Sequence, residues 1–479
     1  MTVDTVVSAH ERFRFPDRAA LADRIAALGL EIPLSDDLSP LFSPLTIGGK
    51  TFPNRLVTLP MEGADADADG APTDLTFRRY ARFARGGTGL IWFEAAAVRP
   101  EGRGNPRQLM VSERTAAPLG RLVDETRRAA AEKYGRGRPL VLILQLTHAG
   151  RFAKPAGRPS PVIAQRNPIL DARTHLPPDH PPVDDASLDA LQDEYVRAAR
   201  LAARAGFDGV DIKACHGYLV SELLAARTRT GSRYGGSFEN RSRFLIETLR
   251  KVKAEQPGLL RAVRLNMFDS TPWPYGFGAD PGGSENEDLD EPRELVRRLS
   301  DEGVSLVAVT CGIPYYRPYF GRPFDRPVEG GEIPPEHPLA GIARWVGIAA
   351  AAQAAAPGLR VVGGGGSWLR RFFPLVAAAL VGSGRASFFG AGREALAYPD
   401  WACDLEAGGA LDPRRVCTAC SKCSEMLRGG GRVGCPVRDS EVYLPEYRSA
   451  REALRSAPGA RRTADLTPGP AGPKQQGDQ

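Results

Sequence analysis

Lysine is scarce in this chain. It occurs eight times among 63 basic residues in 479, so arginine carries nearly all the positive charge. The net charge of +6 is spread along the chain, without a basic tail or block. That balance makes no case for nucleic acid or a membrane surface as partner. It also makes a lysine at a motif position informative. Long apolar runs are missing: none reaches the ~18 residues a spanning helix requires. The alanine-rich stretch from Gly347 to Ala356 is too short and contains Gln353. The opening MTVDTVVSAHERFRF lacks the basic-then-apolar layout of a signal peptide, so a cytoplasmic location is expected. Of seven cysteines, Cys215, Cys311 and Cys403 are scattered, which excludes a disulfide framework. A G-x-G-x-x-G turn with its helix and distal acid is absent, which excludes a Rossmann dinucleotide site. No internal sequence repeat is visible.

What is present is an alternation. With 42% hydrophobic residues the chain can fill one large core or two to three ordinary domains. Short apolar, β-branched runs recur eight times, at Arg55–Leu59, Gly89–Phe93, Pro139–Gln145, Gly209–Ile212, Arg261–Leu265, Val304–Thr310, Leu359–Val362 and Ala386–Phe389. Helical stretches lie between them. Leu188, Leu191, Tyr195, Ala198, Ala199 and Ala202 repeat at the spacing of an amphipathic helix. Strands alternating with helices predict a parallel sheet, and eight such units predict an α/β fold of the (β/α)8 TIM-barrel type. The expected division is an N-terminal extension over 1–40, with a helix from Leu21 to Leu30, and a barrel over 41–405. A Cys-rich segment over 406–445 and a largely disordered tail over 446–479 follow. The long loops 153–187, 269–292 and 311–338 each follow a strand and would sit over the barrel mouth.

Several strand ends carry chemistry. The fourth run leads into Lys213, Cys215, His216 and Tyr218: a cation, a thiol, an imidazole and a phenol in six residues. A barrel places its active site at that end of its strands. The third ends in Gln145-Leu146-Thr147-His148-Ala149-Gly150-Arg151, and the first in Pro60-Met61-Glu62. Arg264 lies inside the fifth, where a cation is costly to bury without a partner such as Asp211. The last two end in Gly363-Gly364-Gly365-Gly366 and Gly390-Ala391-Gly392-Arg393. Two glycine turns after adjacent strands, the second with an arginine, suit a phosphate. Finally, Cys417-x-x-Cys420-x-x-Cys423 with Cys435 after eleven residues is a metal-binding pattern.

As a set, over about residues 41–440, these motifs resemble the old yellow enzyme family of FMN-dependent ene-reductases. With the cysteine pattern they look like its iron–sulfur branch of dienoyl-CoA reductase, enoate reductase and trimethylamine dehydrogenase. The run RTGSRYGGSFENRSRF is the most specific piece. The resemblance implies FMN contacts at Pro60, Met61, Glu62, Ala95, Gln145, Arg264, Gly365, Gly366, Gly392 and Arg393. Gln145 would meet the pyrimidine edge, Arg264 the N1–C2 carbonyl edge, and Arg393 the phosphate. Lys213 and His216 would hold the activating oxygen of the substrate, and Tyr218 would protonate carbon. Where the family carries His, this chain has Lys213, and the alternative for that lysine is a plain ion pair with an acidic neighbour. Where many relatives carry Thr or a small residue, it has Glu62. The branch's cluster pattern is C-x2-C-x3-C-x11-C or a near variant. Here the middle gap is one residue shorter, so a [4Fe–4S] cluster and structural zinc both remain open for Cys417, Cys420, Cys423 and Cys435.

The implied reaction is reduction of an activated C=C bond of an enone or enoate. The alternatives are oxidation of an amine, with electrons leaving through the cluster, and a non-catalytic barrel carrying a zinc interaction module. Electrons are expected from NAD(P)H directly or from a separate redox protein, since no dinucleotide-binding domain is seen after Cys435. The partner is then a small molecule, with neither nucleic acid nor membrane; the oligomeric state is open.

Overall fold

A computed structural model describes residues 10–456. All eight expected strands form. They are β1 (Leu56–Thr58), β2 (Leu90–Ala97), β3 (Val141–Thr147), β4 (Gly209–Ala214), β5 (Leu260–Phe268), β6 (Leu306–Cys311), β7 (Arg360–Gly363) and β8 (Phe388–Ala391). They pair in parallel in sequence order, and β8 pairs with β1 to close the barrel. The result is a (β/α)8 barrel. Every residue of β2 to β6 is buried, because helices cover the outside and side chains fill the inside.

Local chemistry explains the elements. The helix Asp185–Arg204 starts where the Asp184 carboxylate accepts the backbone N–H of Ser187. Its Leu188, Leu191, Tyr195, Ala198, Ala199 and Ala202 stripe is buried against the sheet, as the spacing predicts. A hairpin that the pattern did not reveal, Leu45–Ile47 with Lys50–Phe52, sits at the N-terminal end of the barrel. Phe52 there joins an inner cluster with Val57, Leu90, Ile143 and Phe388 and plugs that end. The open end is therefore the C-terminal one.

Two boundaries move. The helix in the N-terminal extension runs from Arg18 to Ala27, because Asp17 caps it earlier than the apolar spacing suggests. The stretch from 446 is not tail at its start. A helix spans Ser440–Ser456 and buries Tyr443, Tyr447 and Ala450 on one side. That stripe packs this helix on Lys422–Arg428, so the two finish the Cys-rich segment together. The rest of the expected tail, 457–479, lies outside the described residues. Among the described residues no helix is long and apolar enough to cross a membrane.

Candidate active site

Gln145, Lys213 and Arg264 come from neighbouring strands. Gln145 lies beside Asp211, and Lys213 beside Arg264. Asp211 is fully buried and organises its neighbours. Its carboxylate accepts from Gln145 Nε2 (2.5 Å), Trp92 Nε1 (2.9 Å) and the Arg264 backbone N–H (2.7 Å). Burial still pushes its pKa up to about 6, against those bonds. The Gln145 amide is thereby oriented: its N–H2 is spent on Asp211 and its carbonyl oxygen stays available to a donor. The Arg264 guanidinium does not take Asp211 as its hydrogen-bond partner. Its Nη1 donates instead to the Pro60 carbonyl at 3.0 Å, which ties the β1 exit to β5. Trp92 and Asp211 were not singled out as site residues from the sequence. The available signal was Asp211 standing two residues before Lys213, hence on the same strand face.

Glu62 joins the fourth-strand motif. Lys213 Nζ lies 3.3 Å from Glu62 Oε1, and the Tyr218 hydroxyl donates to the same oxygen at 3.2 Å. The Lys213 ammonium also sits 3.6 Å from the centre of the Tyr218 ring. The lysine side chain is 4% exposed and the glutamate 14%, so the pair works in a partly dry site where charge is felt strongly. Lys213 is thus ion-paired with an acidic neighbour, yet one bond leaves two of its three N–H donors free. His216 stands at the mouth with φ +65°. Burial, then Arg264 and Lys213, hold its pKa well below the usual value, so the imidazole is a neutral donor. Burial first, and then the Glu62 charge, push the Tyr218 pKa well up. His148 from the third motif is buried and held at about 4 by burial and Arg99.

The loop bearing Glu62 is clamped from below. Gly63 N–H donates to Glu94 Oε2 at 2.7 Å, and Arg79 bonds Glu94 Oε1 at 2.5 Å while also pairing with Asp65. All three charged side chains are at most 3% exposed. Replacing Arg79 with methionine leaves two buried carboxylates unpaired. We expect a loss of about 3–5 kcal/mol of stability, read from the denaturant midpoint. A loss under about 1 kcal/mol, the size of an exposed pair, would show that the network does not hold the loop.

The glycine turns lie together at the same end. Gly365 has φ +82°, and a Cβ there would lie 2.4 Å from the Trp345 ring. At Gly392 a Cβ would sit 2.9 Å from Met61 Sδ, and at Gly366 3.0 Å from Phe373 Cβ. Glycine at these positions lets the two turns pack closely on Trp345, Met61 and Phe373. Arg393 Nη1 is buried without a partner among the described residues. A buried guanidinium N–H left without a partner suits an anion, and Arg393 directly follows the Gly392 turn. Ala95 lies beside Gln145, and its carbonyl is occupied by Gln108 Nε2 at 3.0 Å.

Cys417, Cys420, Cys423 and Cys435 line one small pocket, which they share with Arg393 and Leu396. No three His, Cys, Asp or Glu side chains among the described residues are gathered closely enough for a single metal ion. The Val433 N–H donates to the Gly63 carbonyl at 2.7 Å, so this segment docks on the loop that carries Glu62.

The fold and this mouth define an α/β-barrel oxidoreductase. The chain belongs to the NADH:flavin oxidoreductase / NADH oxidase family, which it matches over residues 40–285. It is 27% identical over 443 residues to the NADH oxidase of Thermoanaerobacter brockii, covering 90% of this chain and 60% of that one. It is 33% identical over 278 residues to the NADPH dehydrogenase of Bacillus pumilus, covering 57% and 73%. A 2-naphthoyl-CoA reductase, solved with 2-naphthoyl-CoA, has the same fold at a TM-score of 0.67 and 21% identity, covering 87% of this chain and 58% of that one. The chain thus spans about three-fifths of the NADH oxidase it matches.

Proposed function

We propose that this chain binds FMN at the barrel mouth and reduces an activated C=C bond, with NAD(P)H as electron source. The observation that carries the reading is the convergence of donors at one mouth. The oriented Gln145, the Arg264 guanidinium and the unpartnered Arg393 suit the ring edge and phosphate of FMN. Lys213, His216 and Tyr218 stand beside them. FMN bound there supplies the hydride. The protein's part is to hold the substrate and move its proton. Lys213 and neutral His216 donate to the substrate oxygen, where negative charge builds. Tyr218 delivers a proton to carbon from its hydroxyl. The test is an anaerobic screen of enones and enoates against the reduced, purified protein. A protein without FMN would end this reading.

We propose a [4Fe–4S] cluster at the four cysteines as the second group. One zinc ion needs four sulfurs at about 2.3 Å from a common centre. The four thiols share one pocket, and a one-electron relay beside FMN has a use there that a structural zinc does not. The proposed division is a flavin barrel over 41–405 and a cluster segment over 406–445, with a separate redox protein as a possible partner through the cluster. Iron and acid-labile sulfide analysis checks this, and the Cys417→Ser variant should lose most of both while keeping FMN. Stoichiometric zinc without sulfide would overturn the cluster and return the interaction-module alternative.

Amine oxidation remains a second reading because of Glu62. A carboxylate beside the reacting site can take a substrate ammonium as a further partner beside Lys213 and Tyr218. Turnover with methylamines but none with enones would select it.

A further inference from the structure

A path of aromatic rings leads outward from Tyr218 to cations that lack counter-ions. Phe152 lies 6.4 Å from the Tyr218 ring, and Tyr315 stacks on Phe152 at 4.0 Å. Ile313, Leu170 and Ala153 complete this apolar wall. At its outer end Arg428 reaches the Pro314 carbonyl at 3.3 Å, and Arg173 lies 5.0 Å over the Tyr316 ring. Lys154 follows the β3 turn on the opposite side. Partial burial of its ammonium and then Arg428 hold it below the usual value, although Lys154, Arg173 and Arg428 all keep exposed surface at the rim. The Arg428 guanidinium is likewise lowered: burial outweighs the raising effect of Tyr315 and Glu425, and Arg173 adds to the lowering.

Among the described residues none of these three cations has a carboxylate partner. The acid nearest Arg428, Glu425, is occupied by Tyr447 Oη and the Glu329 N–H, both at 2.7 Å. Arg151, Arg227, Arg241 and Arg344 are in ion pairs, and others such as Arg55 and Arg261 spend their donors on several backbone carbonyls. Like charges gathered at a rim without counter-ions raise the local concentration of anions and strengthen any that bind.

We propose that Lys154, Arg428 and Arg173 form an anion subsite. It holds a carboxylate or phosphate on the substrate while the apolar body lies on Phe152 and Tyr315 and the reacting end reaches Tyr218. The inference rests on the reading of this mouth as the substrate entrance, and it names the class: an acidic, apolar-bodied substrate. Lys213 and Glu62 neutralise each other deeper in the mouth, so the rim is where a substrate's net charge is read.

The test compares an aryl enone with its para-carboxylate and its para-phosphate ester on the FMN-loaded protein. The wild type should prefer one of the anions by about tenfold in kcat/KM, which is about 1.4 kcal/mol. The larger preference tells carboxylate from phosphate. Added salt should erode it, because the rim is exposed. The Lys154→Gln/Arg428→Gln double variant should lose the preference and keep the rate on the neutral enone. Equal rates on all three compounds in the wild type, or an equal loss on the neutral enone in the variant, would overturn the proposal. If only the affinity for NADPH over NADH falls in the variant, the rim reads the donor's phosphate and the substrate assignment is wrong. Equilibrium binding of the saturated, unreactive counterparts separates the two readings. A carboxylate or phosphate preference lost in the double variant supports the subsite even if no enone is reduced; no preference there overturns it.

Discussion

Replacing Lys213 with methionine should lower the rate of enone reduction by the reduced protein by about 10²–10³ and leave FMN content unchanged. Lys213 is the one cation of the fourth-strand motif, and it stands where one of its N–H donors is held and two are free. The Glu62 carboxylate fixes the ammonium from one side, so little reorganisation is needed when charge grows on the substrate oxygen. A fixed donor acts on the charge present in the transition state more than on the neutral carbonyl. The loss should therefore fall on kcat as well as on kcat/KM. Methionine also removes the counter-charge of Glu62 and leaves an anion facing the developing oxyanion, which adds to the loss. The Glu62→Gln/Lys213→Met double variant should then recover part of the rate. Release of FMN with unchanged turnover per bound flavin would make Lys213 a structural residue and end this assignment.

The barrel was legible because parallel strands covered on both faces must be largely apolar, and seven of the eight runs carry a β-branched residue, Ala386–Phe389 relying on its two phenylalanines. Helix Asp185–Arg204 was legible for the same reason, from one buried stripe. The pairings in the mouth were not. Glu62 and Lys213 are 151 residues apart, and only closure of the barrel sets them side by side. Asp211 was visible as a possible partner for Arg264. It takes the arginine's backbone N–H, while the guanidinium goes to Pro60, a choice made by side-chain geometry that no spacing encodes. Arg79 is similar: in the helix Asp74–Arg85 it reads as one more surface arginine, and only burial against Asp65 and Glu94 gives it a role. The hairpin Leu45–Ile47/Lys50–Phe52 was missed because three-residue strands carry too little alternation. The C-terminal helix was missed because Pro445 lies inside it and charged residues surround its Tyr443, Tyr447 and Ala450 stripe.

Tyr218→Phe should slow enone reduction by about 10²–10⁴, the range of a lost general acid, while reduction of the protein by NAD(P)H and binding of unreactive ligands stay nearly unchanged. Only the hydroxyl is removed, and the ring keeps its place beside Lys213 and Phe152. The pH behaviour separates this role from simple packing. Burial first, and the Glu62 charge second, hold the Tyr218 proton well above the usual phenol range. The wild-type rate should therefore show no alkaline limb from this group across neutral and mildly alkaline pH. Glu62→Gln removes the second of these causes and leaves burial, the largest, and the Tyr315 contact in place. The Tyr218 pKa then falls, the hydroxyl becomes a stronger acid, and any alkaline limb from this group should move to lower pH than in the wild type. The limb must vanish again in the Glu62→Gln/Tyr218→Phe double variant. A limb that persists there belongs to another group. A Tyr218→Phe protein with undiminished rate would mean that the proton reaches carbon from solvent, and that the bond from Tyr218 to Glu62 serves only to hold the mouth together.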